Sequence, residues 1–322
     1  MTHKIVLLDN TAPAQADRLR ALLPDGFELS HGTTRGEEHL KEIIRDADFA
    51  ISAQVAVTED ILRAGKRLRL LHKWGVGVDN FDVEAARSLG IKVARTTGSN
   101  ALPVAEFTLG LMVATLRFQA LGHERLRQGN WMAFNELPGP TLCISGSTVG
   151  IVGFGAIGQT VARVLKGFGC RILYNKRTPL SANEEQQLGV EFATMPDLLA
   201  SSDIVSLHCP LTPETTNLIN IKSLAAMKPS AVLINIARGG VVNEPDLAEA
   251  LRTNVIRGAA MDVYSIEPLP KDSELLNLDN IVLTPHLAAA TADTFEPTIR
   301  RMFDNIERIA KGQPLPPKDE VV

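Results

Sequence analysis

The chain has 322 residues, 45% hydrophobic and 22% charged, which excludes a disordered chain and, at about 150 residues per domain, leads us to expect two domains. Lys and Arg total 33 against 37 Asp and Glu, a net charge of −4, so the total does not indicate a nucleic-acid-binding surface. Cys143, Cys170 and Cys209 are widely spaced and form no CxxC pair; they frame no metal site and suggest a reduced, cytoplasmic setting.

In chain order, the first apolar run covers four residues before Asp9 stops it. That length suits a first strand and is too short for a signal-peptide core. Strands are expected at 4–8, 48–52, 68–72 and 92–94, with helical pieces such as 15–23 and 60–65 between them. Ser99 or Asn100 can then cap a helix that Pro103 enters in its first turn. Its apolar part, 107–116, is too short to span a membrane and reads as a core helix. Strands follow at 148–152, 171–174, 204–207, 231–235, 258–261 and 281–283. A terminal helix then aligns Phe295, Ile299, Met302, Phe303 and Ile306 on one face, with a kink or late start expected at Pro297. Alternation of strand and helix means parallel sheets covered on both faces. The expected fold is α/β with two doubly wound parallel-sheet domains. A flavodoxin-like substrate domain would comprise 1–99 plus 289–322, and a Rossmann cofactor domain 100–288.

The strand at 148–152 runs into Gly153-Phe154-Gly155-Ala156-Ile157-Gly158, and a helix follows. In that context a GxGxxG is a dinucleotide-binding loop. Gly153 permits the tight turn, Gly155 the approach of the pyrophosphate, and Gly158 close helix–sheet packing. The helix N-terminus offers N–H groups to the phosphates. About 20 residues on, NAD sites carry an acid for the ribose hydroxyls. Here the strand end reads Tyr174-Asn175-Lys176-Arg177-Thr178, with no acid between Arg171 and Ala182. Two cations and a hydroxyl at that place favour a 2′-phosphate, hence NADP(H), with NAD possible.

Arg238, Glu267 and His286 follow three successive strands, on the side where ligands of an open parallel sheet bind. Arg238 supplies a planar cationic fork for a carboxylate and a polarised carbonyl. His286 exchanges a proton near neutral pH, and Glu267 can fix its tautomer. Reduction of a 2-keto acid needs this set together with a hydride donor. His208, at the end of its strand, is read as lining the cofactor crevice. Gly75 and Gly77, after the strand at 68–72, allow successive N–H groups to converge on a carboxylate.

These residues sit in motifs that resemble the D-2-hydroxyacid dehydrogenases, the family of phosphoglycerate dehydrogenases and glyoxylate or hydroxypyruvate reductases. The carriers are Gly75-Val76-Gly77-Val78-Asp79-Asn80, Pro103-Val104-Ala105-Glu106-Phe107-Thr108, the glycine loop, His208-Cys209-Pro210-Leu211-Thr212, Asn235-Ile236-Ala237-Arg238-Gly239-Gly240, Asp262-Val263-Tyr264, Glu267-Pro268 and Thr284-Pro285-His286. The resemblance implies a catalytic set of Arg238, Glu267 and His286, with Asp262 facing the nicotinamide. It implies cofactor contacts from Gly153, Gly155, Ala156, Ile157, Gly158, Asn175, Lys176, Arg177, Thr178, His208, Cys209, Pro210, Ile236, Ala237 and Ala288. Substrate contacts are expected from Ser52, Gln54, Val76, Gly77 and Arg238, with no metal. It also implies a terminal helix packed on the substrate domain, and a homodimer built largely by the segment after Pro103. Lys176 replaces the aspartate of NAD-using members, and Phe107 replaces a common histidine as packing. Ser52 and Gln54 stand where phosphoglycerate enzymes place an arginine, so a small unphosphorylated 2-keto acid such as glyoxylate or hydroxypyruvate is expected. The alternatives are an NAD-dependent phosphoglycerate dehydrogenase and a dinucleotide-sensing co-repressor. Formate dehydrogenases pair the histidine with glutamine, and phosphite-oxidising relatives keep a lysine near Val76; neither matches.

Overall fold

The computed structural model describes residues 2–322. The chain divides into two compact units, the first running to Asn100 and resuming at Thr291, the second Ala101–Ala290. These crossings lie one and two residues beyond the expected boundaries.

The first unit carries β1 (His3–Asn10), β2 (Phe27–Gly32), β3 (Phe49–Ser52), β4 (Leu70–Lys73) and β5 (Lys92–Ala94). They form a parallel sheet in the order β2-β1-β3-β4-β5. Helices α1 (Pro13–Arg20), α2 (Glu37–Ile44), α3 (Glu59–Ala64) and α4 (Val83–Ser88) alternate with the strands. Ile5, Val6, Leu7 and Leu8 are all buried because helices cover both faces of the sheet. Ile5 and Leu7 pack with Phe49, Ile51 and Leu19, whereas Val6 and Leu8 pack with Ala50, Leu71, Leu40 and Ile61. Neither β2 nor α2 was expected. Each is short and carries only two or three large apolar residues, which leaves the periodicity too weak to read.

The second unit opens with α5 (Ala101–Leu116) and α6 (Gln119–Arg127). Pro103 lies in the first turn of α5, where its missing N–H removes no helical bond. Thr108 and Thr115 donate back to the Val104 and Leu111 carbonyls at 2.6 and 2.8 Å, which satisfies their hydroxyls inside the core. Among the described residues no single helix is long and apolar enough to cross a membrane. A seven-stranded parallel sheet follows, made of β6 (Thr148–Val152), β7 (Arg171–Asn175), β8 (Glu191–Phe192), β9 (Ile204–Leu207), β10 (Val232–Asn235), β11 (Gly258–Met261) and β12 (Ile281–Leu283). Its order is β12-β11-β10-β9-β6-β7-β8, so the strand order reverses between β6 and β9. Helices α7 (Ala156–Leu165), α8 (Ala182–Leu188), α9 (Met195–Ser201), α10 (Ile221–Ala225) and α11 (Glu244–Arg252) complete the unit.

Helix α12 (Phe295–Ala310) returns to the first unit. Ile299, Met302, Phe303 and Ile306 are buried in the cluster that holds Ile5, Leu7 and Leu70. Pro297 is the third helical residue, so of the two outcomes expected at this proline the late start is the one that occurs. Beyond α12, Val322 O accepts from Val93 N at 3.0 Å and Val93 O from Val321 N at 2.9 Å. The tail thus covers the β5 edge, which would otherwise present unpaired backbone groups.

Candidate active site

The glycine loop leaves β6 beside the point where the strand order reverses, the place where doubly wound sheets take up nucleotides. Gly153 has φ +91°, and a Cβ there would lie 2.4 Å from Cys209 N and 2.6 Å from His208 O. A side chain is therefore excluded by the loop after β9. A Cβ on Gly158 would meet Gly153 O at 2.4 Å. At Gly155, by contrast, a Cβ would meet no protein atom within 4 Å. Gly155 is also the N-cap of α7, with no side-chain cap. The first-turn N–H groups of α7, with Ala156 and Ile157 among its opening residues, therefore face unfilled space, as a pyrophosphate site requires. The residues fit a dinucleotide.

At the end of β7, Asn175 Nδ2 donates to Ala193 O at 2.8 Å and so braces the loop. Arg177 and Thr178 are exposed and Lys176 half-buried. Acids from elsewhere in the chain feel both cations. Glu184 is held below the usual carboxylate range by the Ser181 hydroxyl first and by Lys176 as a lesser influence. Glu214 is held down by Thr212 first, with Arg177 contributing. Neither acid was visible as a neighbour in the sequence. At the end of β9, His208 Nε2 lies 2.8 Å from Ser206 Oγ, while its buried Nδ1 has no partner. Burial pushes this imidazole down to about 3 and the neighbouring Cys209 thiol up to about 11, so both are neutral. Pro210 is exposed beside them.

The loops after β10, β11 and β12 bring the three polar groups together. Asn235 is fully buried. Its side chain accepts from Ala237 N at 3.1 Å and donates to Arg238 O at 3.0 Å, which shapes the turn through Ile236 and Ala237. Arg238 Nη1 donates to Ala237 O at 2.8 Å. A Cβ on Gly239 would lie 1.9 Å from Tyr264 C, so the turn after Arg238 presses against the loop after β11. On that loop Glu267 accepts from Tyr264 N at 3.0 Å and from His286 Nδ1 at 2.7 Å. Burial opposes ionisation of Glu267. The hydrogen bonds from His286 and Tyr264, with the charges of His286 and Arg238, outweigh it and hold the carboxyl below its ordinary range. The carboxylate accepts, so Nδ1 carries the proton and Nε2, which has no protein partner among the described residues, is left for a ligand.

Two of the residues expected at ligands are buried. Asp262, expected to face the nicotinamide, is fully buried. Its carboxylate accepts from Thr284 Oγ1 at 2.6 Å and from the N–H groups of Leu287 and Ala288 at 2.9 Å each. Its carbonyl accepts from His286 N at 2.8 Å. It therefore holds the loop that carries His286, a role the sequence pattern did not disclose. Ser52, expected at the substrate, is fully buried, and its hydroxyl donates to Val55 O at 2.8 Å. In the first unit Gln54 is exposed, and the N–H groups of Val76 and Gly77 donate to no acceptor among the described residues. Gly75 before them has φ +135°.

The family described as D-isomer specific 2-hydroxyacid dehydrogenase, NAD binding domain, matches residues 109–288. A glyoxylate reductase of Thermococcus onnurineus is 39% identical over 296 residues, 90% of this chain and 87% of that protein. A D-3-phosphoglycerate dehydrogenase of Methanocaldococcus jannaschii is 36% identical over 309 residues, 94% of this chain but 57% of that longer protein. Among solved structures, an NADPH-dependent glyoxylate/hydroxypyruvate reductase of Sinorhizobium meliloti, in complex with NADP and malonate, superposes with a TM-score of 0.87 at 29% identity. The alignment covers 100% of this chain and 97% of that one. Glycine loop, strand order, imidazole–carboxylate pair and these matches agree, and the chain belongs to the D-isomer specific 2-hydroxyacid dehydrogenases, NAD(P)-dependent oxidoreductases.

Proposed function

We propose that the protein reduces a small unphosphorylated 2-keto acid, of the glyoxylate or hydroxypyruvate kind, with NADPH as the preferred donor. The observation that carries the reading is the 2.7 Å bond from His286 Nδ1 to Glu267, which leaves Nε2 without a protein partner. The glycine loop and the first turn of α7 would hold a nicotinamide dinucleotide, which would supply the hydride. Arg238 orients the substrate through its carboxylate and draws charge from the carbonyl. His286 gives its Nε2 proton to the alkoxide that develops, and Glu267 stabilises the charged imidazolium before that transfer. Val76 and Gly77, whose amides donate to no acceptor among the described residues, can bind a carboxylate. Lys176, Arg177 and Thr178 support the NADPH preference, since no carboxylate on their own loop would repel a 2′-phosphate.

The supporting relatives include glyoxylate reductases, and the absence of arginine at Ser52 and Gln54 supports an unphosphorylated substrate. Assembly as a homodimer completes the proposal. The test is a panel of glyoxylate, hydroxypyruvate and 3-phosphohydroxypyruvate run with NADPH and with NADH. We expect the highest kcat/KM for an unphosphorylated acid with NADPH. Preference for 3-phosphohydroxypyruvate with NADH would establish the phosphoglycerate alternative, and no turnover with any keto acid would favour a dinucleotide sensor.

A further inference from the structure

Within the second unit, one buried tyrosine touches both parts of the expected dinucleotide site. Tyr174, in β7, is fully buried. Its ring centroid lies 4.5 Å from that of Phe154, in the glycine loop, and 5.7 Å from that of Phe192, in β8. Its hydroxyl accepts from Leu180 N at 2.7 Å and donates to Glu185 Oε1 at 2.8 Å. The same carboxylate oxygen of Glu185, in α8, accepts from Phe192 N at 3.2 Å, which ties it to β8. Between Tyr174 and Leu180 stand Lys176, Arg177 and Thr178, the residues that favour a 2′-phosphate. Their loop is anchored at its near end by Asn175, whose carbonyl accepts from Gly153 N at 2.9 Å and whose Nδ2 donates to Ala193 O at 2.8 Å. At its far end Leu180 is pinned by the Tyr174 hydroxyl, and Ser181 caps α8 by exchanging bonds with Glu184 at 2.8 and 3.3 Å. Among the described residues no side-chain hydrogen bond orders Lys176, Arg177 or Thr178, so the loop takes its place from its two ends.

We infer that Tyr174 is a positioning residue for cofactor choice: its hydroxyl, held by Glu185, fixes the loop of Lys176, Arg177 and Thr178 and so sets how much more tightly NADPH binds than NADH. This rests on the NADPH preference proposed above and assigns its enforcement to a residue that is not itself expected to touch the cofactor. A loop already ordered gives up less conformational entropy when it takes a phosphate. The two ends of the tyrosine divide the work. The ring packs on the glycine loop, which meets the pyrophosphate that both cofactors carry. The hydroxyl acts on the loop that meets the 2′ position, where the two cofactors differ.

The experiment measures the Kd of the full-length protein for NADPH and for NADH, with no keto acid present, from the fluorescence of the reduced nicotinamide. In Tyr174→Phe the ring stays, while Leu180 N–H and Glu185 lose a partner. The ratio of Kd for NADH to Kd for NADPH is expected to fall about fivefold, with Kd for NADH within twofold of wild type. Glu185→Ala changes a half-buried residue, leaves the tyrosine core intact and should lower the ratio in the same direction. Glu185→Gln keeps an acceptor for the hydroxyl and should hold the ratio within twofold of wild type. A ratio unchanged in Tyr174→Phe and Glu185→Ala, or equal weakening of both cofactors, overturns the inference. Wild-type protein that prefers NADPH while both variants keep its ratio loses only the inference, whereas wild-type protein that binds NADH as tightly as NADPH loses the NADPH preference as well.

Discussion

His286 has φ 55°, a left-handed conformation that costs a residue with a Cβ roughly 1–2 kcal/mol. Asp262 offsets that cost by accepting the N–H groups of His286, Leu287 and Ala288 and the Thr284 hydroxyl. The imidazole is therefore held by backbone bonds on one side and by Glu267 on the other, which leaves Nε2 fixed in place for proton transfer. If Nε2 supplies the proton, His286→Ala should lower kcat about 10²–10⁴-fold. Single-turnover oxidation of NADPH, followed with saturating keto acid, checks it; an undiminished rate would assign the proton to another group. The chemical identity of the three groups was legible in the sequence, because Arg238, Glu267 and His286 each follow a strand by a few residues. The bonds by which Asp262 holds the loop of His286 were not, since the partners of an acceptor are not written in its letter.

At the scale of elements, α12 and the tail are joined to β4 and the end of β5 by a buried polar network. Asp319 is fully buried and accepts from Arg301 Nε at 2.9 Å, Thr97 N at 3.1 Å and Asn305 Nδ2 at 3.3 Å, while Arg301 Nη1 donates to Thr97 O at 2.9 Å. Asn305 Nδ2 also lies 3.1 Å from His72 Nε2, and His72 Nδ1 lies 2.9 Å from Lys73 O. Each partner thus assigns His72 the neutral tautomer protonated at Nδ1. Burial first, aided by the Arg301 charge and opposed by Asp319 and the Lys73 carbonyl, lowers its pKa to about 4. The unfolded chain binds this proton below about 6.5 and the folded chain only below about 4. Stability contributed by neutral His72 is therefore present above about 6.5 and is lost as pH falls toward 4, on the order of 3 kcal/mol over that window. Denaturant titrations at pH 7.5, 6 and 5 should show the decline, and His72→Gln should flatten it. An equally steep decline in the variant would place the titration elsewhere.

For the whole molecule, the segment after α6 leaves Trp131 82% and Phe134 78% exposed, with Leu126 and Leu102 also exposed. Covering a large apolar side chain contributes about 1.5–3 kcal/mol, and a surface of this kind is a candidate interface. The proposed homodimer accounts for it. The double substitution Trp131→Ser and Phe134→Ser is expected to halve the mass measured by light scattering on a sizing column. An unchanged dimer mass would mean that another surface forms the contact, and a monomeric wild type would end the proposal.

Periodicity and punctuation determined the parallel α/β plan, the glycine loop with its strand and helix, and the order of the polar groups along the chain. These are local signals: a buried parallel strand is a short apolar run, and a phosphate loop must be glycine-rich wherever it lies. Short edge elements such as β2, α2 and β8 escaped because they bury few side chains and so imprint little pattern. Only the tertiary structure decided which polar groups face inward. It buried Ser52 and Asp262, and set Glu184 and Glu214 near the cations of the β7 loop. Their geometry depends on strand order and loop packing rather than on neighbouring letters.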